Sequence, residues 1–532
     1  MQSFSQTLTV SSPQLNFGIA YENAPDSLQI SVLNNIGHSV DVTGIKFYTT
    51  YGVPAFSASS DHFTVPDGSS QNIWIKFSPR HNIFHNSEMV IENNSLRGYV
   101  SVDLIGQGKY SNTYYDSTEN LSEENLKVKL KYITGLNYDT LGYNFARDSM
   151  FMWLDNQFVN GQAAAVNTLE GIYTGILATG YTSRADCQTT FNFNTEHTFP
   201  QSLFSQAEPM RSDLHHLFPT DDPSNNYRAD NPFGVVTNPA WTSGGSKGTL
   251  TLFEPRDQQK GATARAMMYF VIRYQDYSGF FAPQETILRT WHTQFLPTQV
   301  ERKRNDDILL IQHNRNPFVD YPQFIERIHS IASLSVDPPA PSVDILEDTI
   351  VYGFVPQSIP QIFHYVIVNN GNTNVNFTNF NLSNPAILSF QNGGNDTLIA
   401  PGDALGIDIS LITSSQDSIH ESLMFQTDDP TLATATIPIY ANSFTVSNVS
   451  ENAGEHFVVF PNPVKQLLQI SCNFYADADY TITDVAGKQI MYGKLLTDKS
   501  IQSIDVSALE NGIYFLKVKD KSKSFFEKFI KD

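Results

Sequence analysis

NTEHTFPQSLFSQAEPMRSDLHHLFPTDDPSNNYRADNPFG, residues 194–234, decides how the middle of this 532-residue chain is read. It holds three groups able to act together: Glu196 beside His197, and then Asn225, followed by Arg228. A carboxylate and an amide oxygen suit a hard divalent cation such as Mg2+. So short a ligand set leaves most coordination positions to water or phosphate oxygens. A histidine titrates near neutral pH and can take a proton from water. With an arginine for charge, these are the parts needed to hydrolyse a phosphodiester.

The local pattern fits that use. TFNFNTEH (190–197) is β-favouring and predicts a strand ending at His197. DLHHLF (213–218) predicts the returning strand, with 198–212 as a long loop. Asp221, Asp222 and Pro223 predict a helix start, because acidic residues and an early proline favour a helix N-terminus. Asn225 and Arg228 then fall at i and i+3 on one helix face. Two strands and a helix close on one site.

This stretch resembles the endonuclease I family of His-Me finger (ββα-metal) nucleases. The matching pieces are EHTFPQS (196–202), SDLHHLFPTD (212–221), the N-x-x-R of Asn225 and Arg228, and NPFG (231–234). Further blocks follow in the family's order: QKGATARAMMYFVIRY (259–274), RTWHTQFLPTQVERKRND (289–306) and IQHNRNPFVDYP (311–322). The resemblance covers roughly residues 115–330. It implies Glu196 and Asn225 as ligands of one divalent metal ion, Mg2+ with Ca2+ or Mn2+ as alternatives. It also implies His197 as general base, Arg228 as a further active-site residue, and 5′-phosphate products. One departure is His313, which stands where the family pattern has glycine; it bears on loop geometry rather than chemistry.

Other residues of this region have a functional and a plain reading. GATARAMMYFVIRY (261–274) predicts a helix buried along most of its surface, with Arg265, Tyr269 and Arg273 in one stripe. Guanidinium matches phosphate oxygens bidentately, so Arg265 is a candidate to hold substrate phosphate; the alternative is an internal acidic partner. The run 299–316 brings Arg302, Lys303, Arg304 and Arg315 together. Such runs are usually solvated faces, and Arg315, inside the matched NRNPF block, is the second phosphate candidate. His215 and His216 suggest zinc, yet no cysteine or third histidine has ligand spacing, and hydrogen bonds that orient the strand are preferred.

Ser122 to Gly135 predicts an amphipathic helix, with Leu126, Leu130 and Ile133 on one face, a serine N-cap and a glycine after the end. LEGIYTG (169–175) predicts a strand before the central motif. The nuclease-like region is assigned to 111–332, followed by a proline-rich linker, 333–342.

Both flanks read as β-structure. Residues 1–110 carry LQISVLN, VTGIKFYT, QNIWIKFSP and YVSVDLIG, short strands between turns that suggest an antiparallel sandwich. Residues 343–448 repeat the plan: LNFG (15–18) is echoed by IVYG (350–353), and SVLNNIGHSVDV (31–42) by VIVNNGNTNVNF (366–377). These two copies resemble anchor-type immunoglobulin-like domains of bacterial surface proteins. They either bind a surface or polymer or act as spacers that hold the enzyme in place, and the second is preferred. Residues 456–532, with FPNP, DVAGK, LENGIYFLKV and KFIKD, resemble the C-terminal sorting domain of the type IX secretion system. That resemblance implies export by the type IX machinery to the medium or cell surface.

The fold expected is therefore multidomain: an α+β His-Me finger nuclease core flanked by all-β immunoglobulin-like sandwiches and a small C-terminal β-sandwich. No run of about 18 apolar residues offers a membrane span. The N-terminus MQSFSQTLTV has no basic region leading into an apolar core, so export calls for a signal peptide outside this sequence. Cys187 and Cys472 fall in different regions, which argues against a disulfide framework. Net charge is −21 overall and −6 over residues 110–332, where 18 Lys+Arg meet 24 Asp+Glu. A broad basic face is thereby excluded, and nucleic acid has to be met through a local cleft of arginines. The reading is a secreted, metal-dependent endonuclease of low sequence specificity acting on DNA, with RNA as a further substrate. The rivals are a surface adhesin or polymer-binding protein around an inactive nuclease, and a phosphoesterase acting on small molecules.

Overall fold

Along Ser69–Phe77, Ile73, Ile75 and Phe77 are buried while Trp74 between them is exposed, the period-two pattern of a strand with one wet face. Strands of this kind build two sheets at the N-terminal end. One has four strands in the order Thr9–Val10, Asp26–Asn34, Ser69–Phe77, Phe56–Ala58. The other has five, in the order Gln14–Tyr21, Val100–Lys109, Phe84–Asn93, Val40–Thr49, Phe63–Val65. The computed structural model describes residues 8–49, 54–95, 98–274, 279–415, 417–444, 458–471, 478–485, 487–495, 501–519 and 524–532.

The second β-region repeats this order strand for strand. Its four-stranded sheet runs Val343–Ile345, Gln361–Asn369, Ala404–Leu411, Leu388–Asn392. Its five-stranded sheet runs Ile350–Pro356, Thr434–Phe444, Ser418–Thr427, Val375–Leu382, Thr397–Ile399. Both depart from a purely antiparallel plan at one place. Gln14–Tyr21 lies parallel to Val100–Lys109, and Ile350–Pro356 lies parallel to Thr434–Phe444. Parallel neighbours need a long crossover, which the intervening strands of each region supply.

The sequence echoes now have physical causes. Gly18 and Gly353 sit at φ +61° and +67° where the register of the parallel pair shifts, a bulge that favours glycine. Asn34 and Asn369 are both fully buried. Asn34 Nδ2 donates to the carbonyls of His38 (2.8 Å) and Val65 (2.7 Å), and its Oδ1 accepts from Ile36 N–H. Asn369 makes the same three bonds with Thr373, Ile399 and Gly371. The repeated asparagine is therefore a turn clamp that replaces missing backbone partners.

The two β-regions and the middle region belong to one compact unit, Met1–Thr445. Tyr48, Val90, Val366 and Val368 form an apolar contact between the β-regions, and Tyr48 Oη donates to Asp344 at 2.7 Å. Arg80 and His81 reach Glu326 of the middle region at 3.0 and 2.8 Å, and Arg327 donates to Asn82 at 2.8 Å.

In the middle region, α1 (Glu123–Gly135) buries Leu126, Leu130 and Ile133 on one face as expected. Ser122 occupies its N-cap position without a capping bond, and Gly135 is its last residue rather than the one beyond. Helix α2 spans Tyr143–Ser149. Strand β1 (Phe193–His197) pairs antiparallel with β2 (Leu217–Asp221), and α3 (Asp222–Arg228) follows directly. Helices α4 (Asp257–Tyr274) and α5 (Gln299–Gln312) complete the surroundings of the site. No helix among the described residues is long and apolar enough to cross a membrane.

Three expected strands are shorter or shifted. In 190–197, Thr190 and Phe191 end a helix (Arg184–Phe191) and the strand begins at Phe193. In 213–218 the first part is a 3-10 turn, Leu214–His216, and the strand begins at Leu217. Asp213 causes this: its carboxylate caps the turn by accepting His215 N–H at 3.1 Å. LEGIYTG contributes only Leu169 and Glu170 to a short strand, Thr168–Glu170; Gly171–Gly175 then turns back, with Gly175 at φ +73°.

His313 is the C-cap of α5 at φ +60°, the left-handed conformation that explains a glycine in the family pattern. The imidazole stays outside, 3.1 Å from exposed Asp139, and the loop behind it remains buried at Asn314. A non-glycine residue there costs about 1 kcal/mol, of which loss of chain entropy in the unfolded state offsets part. His313→Gly is expected to raise stability by roughly 0.5 kcal/mol, read as a higher midpoint in thermal unfolding. An unchanged or lower midpoint counts against strain at this cap.

The second unit, Val446–Asp532, is a separate pair of sheets. Three strands (Val458–Phe460, Leu467–Ser471, Ile501–Asp505) and four (Gln489–Leu495, Ala478–Asp484, Gly512–Lys519, Ser524–Lys531) share a core of Leu468, Ile470, Ile482, Leu516, Val518 and Phe529. Its D-x-x-G turn has Gly487 at φ +78°, with Lys488 N–H donating to Asp484 at 2.9 Å. Cys187 is free and buried, and Cys472 lies outside the described residues.

Candidate active site

Strand β1 begins after Asn192 turns the chain at φ +58°, and its pairing sets Glu196 opposite Phe218 and His197 opposite Leu217. Consecutive strand residues project to opposite faces. Glu196 and His197, neighbours in sequence, accordingly have separate surroundings.

On one face, Glu196 is 2% exposed. Its Oε1 accepts the Tyr173 hydroxyl at 2.7 Å and lies 3.2 Å from Arg228 Nε, although that N–H is not aimed at it. Among the described residues nothing donates to Oε2. Burial pushes the carboxyl above its usual range, opposed by the Arg228 charge and the Tyr173 hydroxyl. A buried carboxylate with one oxygen unspoken for is short of positive charge. Helix α3 faces it. Asp221 caps that helix by accepting Ser224 N–H at 3.1 Å, as the acidic start predicts. Arg228, three residues after Asn225, touches Glu196, so Asn225 shares the helix face turned toward the carboxylate. The Asn225 side chain is half-buried and makes no hydrogen bond among the described residues.

Arg228 is itself 1% exposed. It donates to the carbonyls of Thr198 and Ala229, both at 2.7 Å, and its guanidinium lies over the Phe233 ring. It ties the end of β1 to α3 and holds Glu196 in place.

On the other face, His197 is 6% exposed, and its Nε2 lies 3.3 Å from the Arg211 carbonyl. A carbonyl only accepts, so Nε2 carries the proton and Nδ1 keeps its lone pair. Burial first, then the charges of His216, Arg211 and Arg147, hold the imidazole well below its usual range. Its ring lies 5.5 Å from Tyr143 and 5.6 Å from His216.

His215 and His216 serve structural partners. His216 Nε2 donates to Met210 O at 2.6 Å, and His215 Nε2 reaches Asn314 O and Oδ1 at 3.3 and 3.2 Å. No three His, Cys, Asp or Glu side chains converge as a metal cage among the described residues. Asp213 is fully buried and accepts from Tyr269 (2.9 Å), Tyr274 (2.7 Å) and Gln312 (2.8 Å), an anchor for the segment between β1 and β2.

Arg265 and Arg315, the phosphate candidates, are placed otherwise. Arg265 is 2% exposed, forms a bidentate pair with Glu301 at 2.6 and 2.7 Å, and donates to Phe295 O. Arg315 is paired with Asp320 and Asp306, all at 2.6 Å. Both guanidiniums are already neutralised within the fold, and drawing them onto substrate would leave the half-buried carboxylates of Glu301 and Asp320 without their partners. Arg304 is likewise taken up by Asp155 and by the carbonyls of Leu214 and Leu217. The residues that sequence reasoning passed over are Tyr173, Asp213, Tyr143, Arg147 and Arg211; Arg211 and Asp213 lie inside the quoted stretch, and nothing in their spacing marks them.

Residues 122–323 match the family model of endonuclease I, and residues 458–532 match that of the secretion system C-terminal sorting domain. The chain thus carries a region that matches endonuclease I and a sorting domain that marks it as secreted or exposed at the cell surface. It is similar to an extracellular ribonuclease of Bacillus subtilis, 30% identical over 155 residues, covering 26% of this chain and 54% of that protein. An extracellular ribonuclease of Bacillus amyloliquefaciens matches at 29% over the same length and shares. The chain therefore spans about half the length of these curated relatives. Among solved structures, a PapD-like domain of human CEP192 is similar at 15% identity and TM-score 0.19, covering 21% of this chain and 92% of that one.

Proposed function

We propose that the middle region is a divalent-metal-dependent endonuclease of the His-Me finger type, cleaving DNA and RNA with low sequence specificity and leaving 5′-phosphate ends. The observation that carries this reading is the end of β1, where a charge-deficient carboxylate faces one side and an imidazole with a free Nδ1 faces the other. Glu196 and Asn225 are the residues that would hold the cation, with one carboxylate and one amide oxygen free of other bonds. A bound divalent cation supplies Lewis-acid stabilisation of the phosphate oxygens. His197 takes the proton of the attacking water through Nδ1, and the Arg211 carbonyl holds its ring in the right tautomer. Arg228 fixes Glu196 and ties the strand end to the helix that bears Asn225.

Contacts to phosphate carry no sequence information, which fits low specificity. RNA joins DNA as substrate because the Bacillus relatives are named ribonucleases. The two β-regions act as spacers of an immunoglobulin-like kind that steady the enzyme, as the contacts of Arg80 and His81 in the first of them with Glu326 suggest. An adhesin built around an inactive nuclease is disfavoured, because Glu196, His197, Asn225 and Arg228 are all present and Arg228 lies 3.2 Å from Glu196.

The test is digestion of supercoiled plasmid and of single-stranded RNA by the whole chain, with Mg2+ and with EDTA. Cleavage that EDTA abolishes supports the reading. Failure of the folded protein with Mg2+, Mn2+ and Ca2+ alike rejects it.

A further inference from the structure

We infer that Arg147 and Arg211 form a phosphate-binding subsite on the His197 face of β1, which receives a backbone phosphate of the nucleic acid beside the one being cleaved. The inference rests on the nuclease reading above and supplies the cations which that reading needs but Arg265 and Arg315 do not provide.

Four observations converge. Arg147, on α2, donates from Nε to Thr195 Oγ1 at 3.1 Å. Thr195 is two residues before His197, so the strand period puts both on the same face, about 7 Å apart along the chain. Arg211 reaches that face from the other side, through the carbonyl that accepts His197 Nε2. Both guanidiniums lie over the Tyr143 ring, at 5.0 and 4.1 Å from its centroid, and that ring is itself 5.5 Å from His197. The two cations are thus gathered on one aromatic surface next to the proposed base.

Their charge is not consumed within the fold. Arg184, Arg265, Arg304 and Arg315 of the same domain each face a carboxylate. Neither Arg147 nor Arg211 has one within ion-pair distance among the described residues. Arg211 Nε is also a buried donor without an acceptor. Each half-buried guanidinium is attracted to the ring, but two like charges gathered at one ring repel each other, and an anion beside them relieves that repulsion. In a domain with a net charge of −6, such a pair is a local exception to the sign of the whole surface. A phosphodiester oxygen answers both needs, because guanidinium offers paired donors that match it. A purely structural cation–π cluster would use the ring but leave the charge and the Nε donor unanswered.

The probe is a short single-stranded oligonucleotide, as DNA and as RNA, bound to the whole chain in EDTA so that no cleavage occurs. Each phosphate contact contributes about 0.7 to the slope of log K against log salt for a single strand. Arg147→Gln and Arg211→Gln are each expected to weaken binding roughly tenfold and to flatten that slope by about 0.7. Arg147→Lys and Arg211→Lys are expected to keep the slope. A wild-type slope in either folded glutamine variant overturns the subsite. The wild-type protein gives a second measurement that needs no variant, the labelling of arginines by phenylglyoxal with and without oligonucleotide. Protection of Arg147 and Arg211 supports the subsite, and equal labelling of both rejects it. Metal-dependent plasmid cleavage with unchanged slopes sinks the subsite alone, whereas flattened slopes without cleavage by the wild type sink the nuclease reading and leave the subsite.

Discussion

His197→Ala is expected to slow phosphodiester cleavage by about 10²–10⁴-fold, while oligonucleotide affinity measured in EDTA stays within a few-fold of wild type. The separation follows from the surroundings of the ring. His197 is bonded only through Nε2 to a backbone carbonyl, so its loss removes a proton acceptor and no ion pair. The cavity it leaves lies between Tyr143 and His216, which costs stability but not charge. The same surroundings fix the pH dependence. A base is active when unprotonated, and burial together with the His216, Arg211 and Arg147 charges holds this one well below the usual imidazole range. The acid limb of the rate–pH profile should therefore lie below the ordinary histidine range near pH 6.5, with activity lost as pH falls through it. A variant that retains full rate, or an acid limb above pH 7 that persists in His197→Ala, assigns the base elsewhere.

Glu196→Gln is expected to have the larger combined effect. The substitution keeps the shape and an oxygen for the Tyr173 hydroxyl, but removes the charge that Arg228 faces at 3.2 Å and that a divalent cation requires. Affinity for Mn2+, followed by calorimetry, should fall on the order of 100-fold or more, and cleavage should fall with it. Arg228 is then a buried cation without a counter-charge, so unfolding should become easier by about 3 kcal/mol. Raising the metal concentration should restore part of the rate in this variant and none in His197→Ala. Equal metal affinity in wild type and Glu196→Gln would falsify the ligand assignment.

How much of this was legible in the residues varies from element to element. The helix start at Asp221, Asp222 and Pro223 was readable because capping is local: the asparagine and arginine that follow inherit one face from helix geometry alone. The strand ending at His197 was readable for a similar reason. The return strand was misplaced because Asp213 looks like any acidic residue until its tyrosine partners, 56 and 61 residues away, are in position. LEGIYTG looked like strand by composition, yet its tyrosine is needed at Glu196, and a turn delivers it there. Arg265 and Arg315 have the charge of phosphate ligands; what disqualifies them is Glu301, Asp306 and Asp320, which no spacing rule connects to them.

Residue order alone marked the candidate groups, Glu196, His197, Asn225 and Arg228, the match of the region around them to endonuclease I, and the duplication of the β-regions. These rest on short-range order: strand period, helix capping, and the glycine and asparagine repeated at Gly18 and Gly353, Asn34 and Asn369. Tertiary structure alone decided which oxygen of Glu196 stays open, which nitrogen of His197 keeps its lone pair, and which arginines are free to meet an anion. Each of those is settled by partners distant in sequence, because in a buried site the state of a charge is set by what surrounds it.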